Sequence, residues 1–111
     1  MNNILLEVEN LKKMIIDSNE YKNYISETKK LDKNKEINYL INKIKLKQKE
    51  IVKKENIKED TSLDEKILSD MFDKLNSLEE YKNYLKSAKK LNKLITEIQK
   101  RFEDCFNEIL D

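Results

Sequence analysis

The chain has 111 residues, 41% of them charged and 38% hydrophobic, with a formal net charge of +1, no Gly, no Pro, no His and one Cys. One cysteine and no histidine exclude an intrachain disulfide framework and a Cys/His zinc site within one chain. The missing glycine excludes a P-loop and a dinucleotide-binding fingerprint.

The length suits one domain, and a chain without Gly or Pro favours long helices. Its hydrophobic fraction is low for a compact globule but adequate for helices that each bury a narrow stripe. Thin bundles bury little surface per chain, so a partner or self-association is expected. No apolar run approaches the ~18 residues of a membrane span. The Ile4-Leu5-Leu6 run is followed at once by Glu7 and Glu9, as in an amphipathic helix and not a signal peptide. The expected location is the cytoplasm, with no membrane partner. The near-zero net charge hides an asymmetry. Residues 29–58 hold eleven lysines against Asp32, Glu36, Glu50 and Glu55, a local balance of +7, and the rest of the chain sums to −6.

In chain order, Asn2 or Asn3 can cap a first helix. Leu5, Val8, Leu11 and Ile15, with Met14 beside them, give it one apolar face. Asp17-Ser18-Asn19 interrupts it, since these side chains compete for backbone hydrogen bonds. A second helix starts near Asn19 and carries Tyr21, Tyr24, Thr28 and Leu31 at steps of three and four. The pattern stumbles over residues 32–36 and resumes at Ile37, Leu40, Ile41, Ile44 and Ile51. Two readings fit: one long helix from 19 to about 56, roughly 55 Å long, whose stripe shifts, or a short break at Asp32 or Asn34.

Residues 53–62 are the expected charged turn. Ser62 and Glu65 fit a capping box that opens a helix carrying Ile67, Leu68, Met71, Phe72 and Leu75. Ser77 and Glu80 fit a second box, opening the last helix. There Tyr81, Tyr84, Ala88, Leu91, Ile95, Ile98, Phe102, Cys105 and Ile109 alternate by three and four without a miss. Leu85, Leu94, Phe106 and Leu110 widen that stripe, so the helix is expected to pack against more than one neighbour.

One stretch occurs twice. Glu20-Tyr21-Lys22-Asn23-Tyr24 returns as Glu80-Tyr81-Lys82-Asn83-Tyr84, and nine of the fourteen positions from 20 to 33 match those 60 residues on. The repeat suggests two copies of one helical unit. The expected fold class is therefore all-α: an elongated helical bundle of four to five helices, two helix-turn-helix units with a long C-terminal amphipathic helix. It forms a single domain, 1–111, with halves at about 3–56 and 62–110.

No catalytic or metal-binding residues stand out. The serines sit at helix starts, where capping explains them, and Glu79-Glu80 suits the positive end of a helix dipole. Cys105 lies on the apolar seam and reads as a small core residue. The lysines Lys43, Lys45, Lys47, Lys49, Lys53 and Lys54 are candidate contacts to RNA or an acidic protein, with Lys45, Lys49 and Lys53 on one helix face. Arg101 is the only arginine, so any RNA contact there would be electrostatic and salt-sensitive. Tyr21, Tyr24, Tyr81 and Tyr84 are candidate interface anchors, or rim residues with wet hydroxyls.

A Ser-capped start followed by Glu20-Tyr21-x-x-Tyr24, Leu31-Asp32 and Glu36-Ile37-x-x-Leu40-Ile41 resembles the first half of the YlbF/YmcA family. Leu75-Asn76, then Tyr84-Leu85-x-x-Ala88-x-x-Leu91-x-x-Leu94-Ile95 and Ile98, resembles its second half. The resemblance runs from about residue 4 to 109 and rests on hydrophobic pattern. It implies a small all-helical cytoplasmic bacterial regulator without enzymatic activity of its own. It implies partners too: copies of itself or paralogues, a YaaT-like protein, and the endoribonuclease RNase Y in messenger-RNA processing. Through these, family members influence competence, biofilm formation and sporulation. Some members carry several cysteines and are linked to iron–sulfur clusters. This chain has only Cys105, and no cofactor is expected. A direct RNA-binding helical module and a purely structural coiled-coil subunit are the alternative readings.

Overall fold

The computed structural model describes residues 2–111. It is all-α, with five helices: α1 (Asn3–Ile16), α2 (Asn19–Lys33), α3 (Lys35–Asn56), α4 (Ser62–Ser77) and α5 (Glu79–Leu110). There is no strand among the described residues, and no helix there is long and apolar enough to cross a membrane.

Without Gly or Pro, polar side chains set most of the junctions. Asn2 caps α1, its Oδ1 accepting the Ile4 amide at 2.8 Å. Ser18 serves two helices at once: its hydroxyl donates to the Ile15 carbonyl that ends α1 and accepts the Tyr21 amide that opens α2. The choice left open between 19 and 56 resolves as a break at Asn34. That residue sits in extended backbone, and its Oδ1 accepts the Ile37 amide at 3.0 Å. Asn38 closes the junction from the far side, its Nδ2 donating to the Asp32 carbonyl at 2.9 Å. A continued heptad would have put Asn38 in the core. It satisfies a helix end instead.

Both expected capping boxes are corrected. Ser62 is the first residue of α4, after Thr61, which makes no side-chain cap bond. The Ser62 amide and hydroxyl both donate to Asp60 Oδ1, so Asp60 organises this helix start. Ser77 ends α4, its hydroxyl turned back to the Lys74 carbonyl, and α5 opens after Leu78 without it. The apolar Leu78 occupies the repeat position matching Ser18, so only the first copy has a true side-chain cap.

The turn from α3 to α4 is a Schellman arrangement. The Glu59 amide reaches the Lys54 carbonyl and the Lys58 amide the Glu55 carbonyl, with Lys58 at φ 59°. A side chain costs roughly 1–2 kcal/mol in that left-handed conformation. Lys58→Gly is expected to raise the unfolding free energy by about 1 kcal/mol in urea titrations. An unchanged or lower value would contradict the geometry.

The chain divides into two compact units, Met1–Thr28 with Tyr84–Asp111, and Lys29–Asn83. They do not coincide with the halves 3–56 and 62–110, because each unit draws on both. The stripes of α3 and α4 pack on each other, with Ile37, Leu40, Ile44, Ile51 and Leu75 buried. In the other unit α5 carries the buried Ser87 and Leu91. Ser87 is 1% exposed, and its hydroxyl donates to the Tyr84 carbonyl. A small residue there lets a neighbouring backbone approach closely.

Coverage of the α5 seam stops earlier than its pattern suggests. Ile95 and Ile98 are half-buried, but every residue from 101 to 111 is exposed, Cys105 among them. Cys105 is thus not a core residue. In α1 only Leu11 and Ile15 of the expected stripe are half-buried, and Leu5, Val8 and Met14 lie open.

Candidate functional site

The six candidate lysines all belong to α3, and the structure sorts them by surroundings. On α3 the buried Ile37, Leu40, Ile44 and Ile51 share a face with the half-buried Lys47 and Lys54, at steps of three and four. Lys47 and Lys54 therefore occupy core-facing positions. Opposite them, on α4, stands Asp64, only 7% exposed. Lys54 Nζ lies 2.7 Å from Asp64 Oδ2 and Lys47 Nζ 3.1 Å from Oδ1. Glu50 joins from the solvent side, 2.9 Å from Lys47 and 3.5 Å from Lys54.

Hydrogen bonds from Lys54 and then Lys47 hold the Asp64 carboxyl below its usual range. Lys47 is raised, first by its bond to Glu50 and then by Asp64, and Lys54 is raised chiefly by Asp64. A buried carboxylate with two ammonium partners is a fixed point of register between two helices. Lys47 and Lys54 thus tie α3 to α4 through Asp64.

The other lysines differ. Lys43 Nζ sits 5.4 Å from the centroid of the exposed Tyr39 ring, a cation–π pair one turn apart. Lys45, Lys49 and Lys53 line one shallow surface depression with Gln48 and the half-exposed Val52. An apolar centre ringed by three ammonium groups can take an anionic, partly apolar surface. It holds no acid–base pair and no metal ligand set.

Tyr21, Tyr24 and Tyr84 lie in the unit that contains both chain ends, and Tyr81 lies in the middle unit. Tyr24 and Tyr84 meet with ring centroids 5.8 Å apart, tilted by 38°. They are equivalent positions of the two repeat copies. Tyr21 and Tyr81 are half-buried, as are Tyr24 and Tyr84.

From the sequence alone, Asp64 has no role beyond its place between Ser62 and Glu65. The signal was present in the heptad spacing. Continuing the α3 stripe through Lys47 and Lys54 gives two charged core positions, which demand an opposite charge on the partner stripe. Asp64 stands four residues before Leu68 and seven before Met71. Among the described residues no group of three or more Asp, Glu or Cys is arranged to hold a metal ion.

The chain is thus a five-helix protein with exposed charged and apolar helix faces. The chain belongs to the YlbF/YmcA family: the family model described as "Control of competence regulator ComK, YlbF/YmcA" matches residues 4–104. That description places it among regulatory proteins. No curated protein and no solved structure matches the chain.

Proposed function

We propose that this chain is a cytoplasmic, non-enzymatic adaptor that regulates another protein by binding it. The observation that carries this reading is the family match across 4–104, which takes in all five helices in part or whole. By resemblance to YlbF and YmcA, the partners are copies or paralogues of the chain, a YaaT-like protein and RNase Y. The regulated process is then messenger-RNA processing upstream of competence, biofilm formation and sporulation. The exposed Lys45–Lys49–Lys53 face and the open apolar end of α5 are the surfaces available for such contacts.

Affinity capture of the tagged chain from its own cytoplasm tests the proposal. Recovery of RNase Y or a YaaT-like protein is the expected result, and their repeated absence under gentle lysis overturns it.

A second reading rests on the three lysines that Asp64 does not neutralise. If RNA is the ligand, Lys45→Glu/Lys49→Glu/Lys53→Glu abolishes retention on RNA at low salt, whereas a change at Lys47 acts through stability. Retention unaffected by the triple reversal removes this alternative.

A further inference from the structure

Lys45, Lys49 and Lys53 follow one another at one-turn intervals, about 12 Å from first to last along α3, and all three are exposed. No carboxylate among the described residues pairs with any of them. The acids of α3 are used or placed elsewhere. Glu50 is held by Lys47 and Lys54. Glu36 and Glu55 lie roughly 140° and 120° round the helix from Lys49, at 3.6 residues per turn. The three ammonium groups edge a shallow depression that Gln48 and Val52 complete. Val52 is 55% exposed, and Leu46, 63% exposed, stands on the opposite flank of the lysine row.

Charge alone would suit either the phosphates of RNA or the carboxylates of a protein. The uncharged part of the face chooses between them. No aromatic ring lines the depression for a base to stack on. Arg101, the better reader of phosphate and base edges, lies in the other unit. Val52 and Leu46 offer apolar surface, which a sugar-phosphate backbone cannot cover and an aliphatic side chain can.

We infer that this face of α3 docks an acidic amphipathic helix of a partner protein, with carboxylates at i, i+4 and i+8 on the three lysines and an aliphatic residue against Val52. Positions i and i+4 of any α-helix recur about every 6 Å along its axis, the interval of the lysines themselves. Three pairs can therefore close side by side without distorting either helix. The inference rests on the adaptor reading, in which another protein is bound, and it names the chemistry of that protein's contacting segment.

Fluorescence anisotropy of a labelled synthetic peptide on the purified full chain is the test. The probe is an alanine-rich helix with glutamates at i, i+4 and i+8 and a leucine beside the last of them. It is expected to bind at low ionic strength and to be released as salt is added, because exposed pairs are screened. The same composition with the glutamates scattered round the helix is expected to bind about ten-fold more weakly. Lys45→Glu/Lys49→Glu/Lys53→Glu turns three attractions into repulsions and is expected to weaken the probe about a hundred-fold. All three positions are exposed, so helicity by circular dichroism is kept. A probe carrying lysines in place of its glutamates is expected to bind this variant and not wild type. Val52→Asn, which leaves the charge alone, is expected to weaken the acidic probe about three-fold. Lys43→Glu, whose lysine lies over Tyr39, is expected to change it by less than about two-fold.

Equal binding of the ordered and scattered peptides overturns the docking geometry, and a triple reversal that binds the probe like wild type overturns the surface. Single-stranded polyuridine that binds more tightly than the probe, and equally to wild type and Val52→Asn, overturns the protein occupant in favour of RNA. Capture of RNase Y or a YaaT-like protein undiminished by the triple reversal overturns this inference and leaves the adaptor reading standing. Ordered binding of the probe, with neither protein captured by wild type, leaves the docking face standing while those partners fall.

Discussion

Asp64→Leu alone is expected to lower the midpoint of thermal unfolding by roughly 10 °C, among the largest effects of any substitution in this chain. The change leaves Lys47 and Lys54 on the core-facing stripe of α3 without their buried carboxylate. Removing one member of such a cluster exposes the desolvation cost of the others. Replacing the whole layer removes that cost. Lys47→Met/Asp64→Leu/Lys54→Met is expected to unfold within a few degrees of wild type, or above it.

The pH dependence carries a sign. Asp64 is depressed in the fold, so its stabilisation is present above the unfolded value of about 3.9 and is lost as pH falls through its lower folded value. The two lysines are raised. Their contribution is present below the unfolded value of about 10.4 and fades as pH rises through the folded one. The stability difference between wild type and Asp64→Leu should therefore be flat between about pH 4 and 10 and shrink on both sides. Denaturant titrations across that range measure it. A difference that keeps its full size at pH 2 would show that the layer does not act through ionisation.

Ile37→Ala is expected to cost about 2–5 kcal/mol in urea unfolding, the range for large-to-small changes in a packed core. Ile37 is fully buried and is the first apolar residue after the break at Asn34. Its amide is the group that Asn34 caps, so one residue fixes both where α3 begins and which face it buries. Leu46 is equally apolar, sits on the same helix and is 63% exposed. Leu46→Ala is expected to stay within about 0.5 kcal/mol of wild type. Equal costs at the two positions would refute the reading that the break rotates the stripe of α3 to a new phase.

These two sites mark the limits of what the sequence discloses. The stumble over residues 32–36 announced a discontinuity, because charged and amide residues replaced apolar ones where the period needed them. It could not choose between a rotated stripe and a capped break, since Asp32 and Asn34 both cap well; the choice depended on a side chain from the next helix, Asn38, reaching back. Period and capping residues together placed four to five helices, with the span from 19 to 56 left as one or two. Period failed where a stripe position is charged, as at Lys47, because apolarity was its only marker of burial. It failed in the other direction along α5, where an unbroken seam was read as covered. A seam records apolar spacing, not coverage, and from Arg101 onward every residue of α5 is exposed. The capping boxes misled for a local reason: Ser62 and Ser77 had nearer partners, Asp60 and the Lys74 carbonyl. Of the candidate lysines, spacing alone grouped 45, 49 and 53. What separated 47 and 54 from them was the buried acid on α4.

The division of the chain into a middle unit and a unit made from both ends bears on how the protein emerges from the ribosome. Residues 29–83 form a continuous segment with local helix–helix contacts, and all of it is available for packing once Asn83 has cleared the exit tunnel. The first helix is synthesised before any of this, yet the half-buried Leu11 shares its surroundings with Ile98, Phe102 and Cys105. It must wait, amphipathic and uncovered, for nearly the whole remaining chain to be translated. At about 5–20 residues per second that delay is several seconds or more. Of the five helices, α1 is thus made before the segment it packs with, and it finds its place after the middle unit can form.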